Sequence, residues 1–350
     1  MKRFLILVIA GGLLLAVGSS WYLSQPVMEG RLEPTLFDRV SVATVEEALT
    51  LARSRSGAVV LVTSANAGGV SGINLGGFGE QPFLDTLHAF SEIGEARLTV
   101  MASAAADISL DWQELGMPIA TGAAHIAAGT NYHAHAEEVG MEEGPFLFPK
   151  LSAPTAWNSP VTAGGRLDFE VELCAVPLTD HTVNKPARLA YLLCGDYTDR
   201  WQLVRDIDLD GTLGVTGFPV AKGGATRFPL GALLVIPQRE DFYRQIELRL
   251  YLNDQLRQRT GADKMIWSPG VILSNALADC ATAYVTTTGT VQISNCEQIR
   301  ARTLLLTGTP AGVLFDVGTI WNPWVYLRPG DVVTSFGTYL GYMRNVIAAP

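Results

Sequence analysis

The chain reads as an α+β protein, predominantly β, on three observations. From about residue 120 onward, short apolar runs alternate with Pro/Gly punctuation, and "LLVIP", "YRQIELRLYLN", "RTLLLTGTP" and "DVVTSFGTYLGYM" carry strand patterns. Helical stretches are few there, with "GMPIATG" and "SPGVILSNALAD" as the candidate starts. Ahead of them, residues 42–105 read as a small α/β unit. With 350 residues, 48% hydrophobic and 17% charged, the chain can fill more than one core. A formal charge of −9 without a basic cluster in the body argues against nucleic acid as a partner.

The N-terminus comes first. Lys2 and Arg3 precede an uncharged, mostly apolar run from Phe4 to Leu23, long enough to span a bilayer, with Trp21 and Tyr22 suited to its far interface. The two cations would hold the N-terminus in the cytoplasm and send the body across, to a periplasmic or other extracytoplasmic side. The small residues Gly18 to Ser20 offer a cleavage site, so residues 1–24 are a membrane anchor or a signal peptide, and either one exports the body. Residues 25–120 then form the small N-terminal domain and residues 121–350 the main one.

Thr44 with Glu47 makes a capping box for a helix through "VEEALTLAR", and "GAVVLVT" after Gly57 is a strand. "SANAGGVSGINLGGFGEQP" is a Gly-rich loop without the Lys-Ser/Thr of a phosphate loop or GxGxxG spacing, which favours a turn. "FLDTLHAF" resumes as a helix in which His88 is structural, and "RLTVMASA" is a strand. Cys280 and Cys296 bracket "ATAYVTTTGTVQISN", a Thr-rich hairpin that a disulfide could close in an oxidising compartment. Cys174 and Cys194, in two apolar strands, read better as small buried hydrophobes. No CxxC spacing supports structural zinc.

Three segments carry chemistry. "LDFEVELCAVP" places Glu170 and Glu172 on one face of a strand, about 7 Å apart along the chain. An edge strand with a solvated acidic face would show the same alternation. "LLCGDYTDRW" sends an apolar strand into Asp196, and three carboxylates together suit a hard divalent cation such as Mg²⁺, Mn²⁺ or Ca²⁺. "GTNYHAHAEEVG" puts His135 and Glu138 three apart. On a helix the carboxylate would orient the imidazole as a general base for water; a polar surface helix is the bland alternative.

These motifs together resemble the fumarylacetoacetate hydrolase (FAH) family. Its Asn-Tyr-x-x-His-x-x-Glu-x-Gly segment is matched by Asn131, Tyr132, His135, Glu138 and Gly140. Its Lys-Pro-Ser stretch is matched by Lys150 and Ser152, with Leu151 in place of the proline. Its Asp-Tyr-Glu-x-Glu-Leu strand corresponds to "DFEVEL", its Asn-Asp metal position to Gly195-Asp196, and its Lys-Gly segment to Lys222-Gly223. "IWSP", "LLLTGTPAGV", "LRPGDVV" and "LGYMRNVI" follow in order, so the resemblance covers roughly residues 125–350. It departs at Gly224, Ala225 and Arg227, and in a longer insertion around Cys280–Cys296.

The resemblance implies the family's mixed β roll and a Mg²⁺-like cation on Glu170, Glu172 and Asp196. It also implies a catalytic pair His135–Glu138 on a lid. Lys222 would lie beside the metal, and Lys150, Ser152 and Thr309 would contact substrate. The expected activity is hydrolytic C–C cleavage of a β-diketo acid of the acylpyruvate kind. Decarboxylation, isomerisation and hydration of 2-oxo acids use the same site, and many members are homodimers. A membrane-tethered binding module without turnover is the alternative outside enzymes.

Overall fold

The computed structural model describes residues 15–26, 28–141 and 143–350. Most of the apolar run from Phe4 to Leu23, with Lys2 and Arg3, lies outside the described residues. Its remainder, 15–23, is helical. Among the described residues no helix is long and apolar enough to cross a membrane. The Ser20 hydroxyl accepts a hydrogen bond from Asn322 Nδ2 (3.0 Å), and Arg257 Nη1 donates to the Ser24 carbonyl (2.9 Å), so this helix packs on the body.

A 12-stranded sheet dominates. Its main path runs Ile108–Asp111, Gly69–Asn74, Val59–Ala65, Ala48–Arg53, Leu233–Pro237, Leu189–Gly195, Val171–Pro177, Leu305–Leu306, Ala124–Gly129, Phe146–Leu151. Neighbours along it are antiparallel except Leu305–Leu306 beside Ala124–Gly129. The N-terminal strands therefore enter the same sheet as the acid-bearing strands through the pairing of Ala48–Arg53 with Leu233–Pro237. A five-stranded sheet of Gln255–Gly261, Glu247–Leu252, Val332–Gly337, Gly341–Ala348 and Val161–Thr162 packs against it to make the mixed α+β roll.

Several local readings change. "ALTLAR" is a strand, because Ala48 to Ala52 are all buried between two neighbouring strands and leave no polar face for a helix. Thr44 and Glu47 close only one turn before it, with Glu47 N–H donating to the Thr44 carbonyl (2.9 Å). "RLTVMASA" continues as the helix Glu95–Met101, which buries Leu98 and leaves Val100 exposed. A short apolar run carries no period long enough to separate the two states. "GMPIATG" is irregular connection with a bend at Pro118 and Ile119, not a helix. The Gly-rich loop contains the strand Gly69–Asn74, where a Cβ on Gly69 or Gly72 would run into the carbonyl of Leu110 or Leu61. The helix Pro269–Ala278 forms as expected, with the Ser268 hydroxyl accepting from Val271 N–H and Pro269 in the first turn.

Both cysteine pairs are bonded. Cys280–Cys296 closes the hairpin Tyr284–Thr286 and Gly289–Val291. Cys174–Cys194 corrects the reading of that pair as free buried thiols: the register sets Glu172 opposite Cys194 and Cys174 opposite Leu192, which makes the cysteines diagonal neighbours 5.7 Å apart at Cα.

Candidate metal centre and active site

Glu170, Glu172 and Asp196 converge because their strands do. Val171–Pro177 pairs antiparallel with Leu189–Gly195, so Glu172 lies inside one strand, Glu170 just ahead of it, and Asp196 just past the end of the other. Asp196 N–H donates to the Glu170 carbonyl (2.9 Å) across the gap. One oxygen from each carboxylate lies within 4.8 Å of the others, and all three residues are buried. The solvated-edge reading of the Glu-x-Glu alternation is thereby removed.

Three cations surround the cluster. Lys222 Nζ donates to Glu170 Oε2 (2.6 Å) and Asp196 Oδ2 (2.8 Å). Lys150 Nζ donates to Asp196 Oδ1 (2.6 Å) and to the Lys222 and Arg227 carbonyls. Arg200 spans Asp168 (2.8 Å) and Glu170 (2.6 Å). Burial works against charge on Glu170, but Lys222 and Arg200 outweigh it and hold the carboxyl down at about 2. Glu172 goes the other way: burial, then Asp196 and Glu170, push its carboxyl well above the usual range, while the Gly308 N–H (2.6 Å) only partly offsets this. Burial disfavours charge on Lys222, yet Asp196 and Glu170 hold its ammonium above the ordinary lysine value. Burial pulls Lys150 below its own, despite Asp196.

A buried carboxyl whose ionisation is disfavoured by burial and by two acidic neighbours, in an all-oxygen donor set, fits a divalent cation, whose charge would offset that penalty. Glu170, Glu172 and Asp196 are the residues that would hold it.

The His-Glu pair sits on the short helix His133–Glu138. His135 Nδ1 lies 3.0 Å from Glu138 Oε2, and Glu138 Oε1 accepts from the Gly312 N–H (2.8 Å). Glu138 is thus anchored by the "TGTPAG" loop. His135, Glu170, Arg200, Lys222 and Thr309 share one cavity of about 410 Å³. A larger cleft of about 840 Å³, reached by Arg188, Tyr243 and Leu277, shares no lining residue with it and holds none of these groups.

Lys150 and Ser152 do not line the cavity. Lys150 is fully buried against Asp196, and the Ser152 hydroxyl donates to the Lys222 carbonyl (3.3 Å), so in this conformation both support Lys222 and Asp196 instead of facing a substrate. Thr309 does line it, its hydroxyl donating to the Val171 carbonyl (3.0 Å) and accepting from Gln258 Nε2 (2.9 Å).

Sequence reasoning missed the polar frame. Gln258 Oε1 accepts from the Val171 N–H (3.0 Å), and Asp168 accepts from Arg200 and from the Leu314 and Phe315 N–H groups. Asn131 donates to the Trp267 and Thr307 carbonyls and accepts from the Trp267 N–H, tying "NYHAH", "IWSP" and "TGTP" together. Asp168, Asn131 and Arg200 stand inside the quoted segments, whereas Gln258 had no local signal.

A family model described as fumarylacetoacetate (FAA) hydrolase C-terminal matches residues 124–348. No curated protein matches the chain. Solved structures similar to it include a maleylpyruvate hydrolase from Sphingobium sp. SYK-6 in complex with manganese(II) and pyruvate, at 18% identity and TM-score 0.57, covering 86% of this chain and 99% of that one. Another is the 2-hydroxyhepta-2,4-diene-1,7-dioate isomerase from Mycobacterium marinum, at 19% identity and TM-score 0.54, covering 87% and 98%. A third is the 5-carboxymethyl-2-hydroxymuconate delta-isomerase from Mycobacterium smegmatis, at 21% and 0.52, covering 87% and 99%. At these identities the likeness shows a shared fold. The match over more than half its length shows that this chain belongs to the fumarylacetoacetate hydrolase family.

Proposed function

We propose that the protein is a divalent-metal-dependent hydrolase that cleaves a C–C bond in an acylpyruvate-like β-diketo acid. The observation that carries this reading is the convergence of Glu170, Glu172 and Asp196 within 4.8 Å of one another, with Glu170 lining a cavity that His135, held by Glu138, also lines. The family membership and the manganese-bound maleylpyruvate hydrolase of the same fold support it.

A cation held by Glu170, Glu172 and Asp196 would supply Lewis-acid polarisation of the 2-oxo acid. Glu138 occupies Nδ1 of His135, so the proton taken from water goes to Nε2. Hydroxide adds to the distal acyl carbonyl, and the bond between that carbon and the pyruvyl methylene breaks. The electron pair passes to the pyruvate enolate, which takes up a proton, leaving a carboxylate and pyruvate. Lys222, whose ammonium is held charged, faces the cavity where enolate charge develops.

Assays of acetylpyruvate and oxaloacetate with Mn²⁺ on the full chain test this. His135→Ala should lower acetylpyruvate hydrolysis by roughly 100-fold with Mn²⁺ affinity unchanged, and Glu172→Ala should abolish Mn²⁺ binding in a calorimetric titration. Full hydrolysis in His135→Ala would end the case for the dyad. Turnover of oxaloacetate alone, lost in Lys222→Met, would identify a decarboxylase on the same site.

We propose separately that the enzyme works outside the cytoplasm, with residues 1–24 as a membrane anchor or a signal peptide. Two disulfides and the uncharged N-terminal run support this.

A further inference from the structure

The charged side chains that line the cavity lie together, joined through Glu170. They are Glu170, Arg200 and Lys222, with His135 beside them. Arg200 is committed to Asp168 and Glu170, and Lys222 to Glu170 and Asp196. Apart from Thr130 and Thr309, the other lining side chains are apolar, chief among them Phe146, Phe148, Leu203, Phe218, Phe315 and Ile320. At the rim, Val204, Leu209 and Val317 are 41%, 71% and 77% exposed, large apolar side chains left facing water. The segment carrying Val317 and Ile320 is also the one on which the N-terminal helix packs, through Gly318 and Asn322.

Among the described residues, a second carboxylate on the substrate would meet no lining cation beyond those already bound to the acid cluster, and its desolvation would go uncompensated. An alkyl or aryl group would bury against phenylalanine and aliphatic carbon, gaining roughly fourfold in affinity per methylene. Resting on the 2-oxo-acid reading above, we infer that the substrate is a monocarboxylic 2-oxo acid carrying an apolar tail, and not a diacid. The 2-oxo-carboxylate lies at the Lys222 end, and the tail runs along the phenylalanine wall toward Val204 and Leu209.

Titration calorimetry of the Mn²⁺-loaded full chain with 2-oxohexanoate and 2-oxoadipate, matched in carbon number, tests the class without requiring turnover. 2-Oxohexanoate should bind at least tenfold more tightly, and Val204→Arg, which sets a guanidinium on an exposed rim position, should bring the ratio toward or below one. Equal or tighter binding of 2-oxoadipate, or binding of neither acid, overturns the assignment; an unchanged ratio in Val204→Arg overturns the path of the tail. Rates with hexanoylpyruvate and adipoylpyruvate separate the two readings. A binding preference for 2-oxohexanoate with no turnover of either compound rejects hydrolysis and retains the apolar site. Faster cleavage of adipoylpyruvate retains hydrolysis and rejects the apolar site.

Discussion

Gly308 shows how one residue decides a site. Its φ of +93° lies in the left-handed region, and a Cβ there would meet Asn131 Cβ at 2.8 Å; the glycine thereby presents its N–H to Glu172. His125 makes a prediction at the same scale. It is buried opposite Lys150, with Nε2 3.1 Å from the Gly122 carbonyl and Nδ1 accepting from the Leu304 N–H (3.3 Å). Burial, helped by Lys150 and opposed by the Gly122 bond, lowers its pKa to about 4. The unfolded imidazole titrates near 6.5, so between the two values the unfolded chain binds the extra proton. His125 then contributes its full stability above about pH 6.5 and loses it as pH falls toward 4, about 3 kcal/mol in all. Thermal melts from pH 7 to 4 should show a steeper fall for wild type than for His125→Gln. Parallel profiles would reject this. The three acids were legible as an alternation and a strand end, but Lys150 bonded to Asp196 was not, because that contact joins residues 46 apart in sequence.

At the scale of elements, Cys174–Cys194 staples the two strands that carry the acids, each cysteine lying two residues from Glu172 or Asp196. Cys174→Ala with Cys194→Ala should cost about 3 kcal/mol in urea unfolding. It should also weaken Mn²⁺ binding roughly tenfold by loosening the ligand strands. The Cys280→Ala/Cys296→Ala pair, remote from the acids in sequence, should leave Mn²⁺ affinity unaltered. Equal affinity in both double variants would show that the staple does not position the ligands. Short apolar runs were the weakest guide at this scale. "ALTLAR" became a strand because it was sandwiched, and "EARLTVM" a helix because it follows the helix Thr86–Ile93 and packs beside it.

For the whole molecule, the export reading predicts that a reporter fused after Pro350 is active only outside the cytoplasm, with Lys2 and Arg3 setting the orientation. A reporter active in the cytoplasm would overturn it. The sequence by itself determined the β-rich class, the order of the family motifs and the identities of the candidate metal ligands, since alternation and motif spacing are local properties. Tertiary structure decided what depends on strands distant in sequence. It brought the N-terminal strands into the main sheet, bonded Cys174 to Cys194 and turned Lys150 to Asp196. It also walled the cavity with phenylalanines from three separate segments. Each of these outcomes follows from register and burial, which arise only when distant segments pair and exclude water.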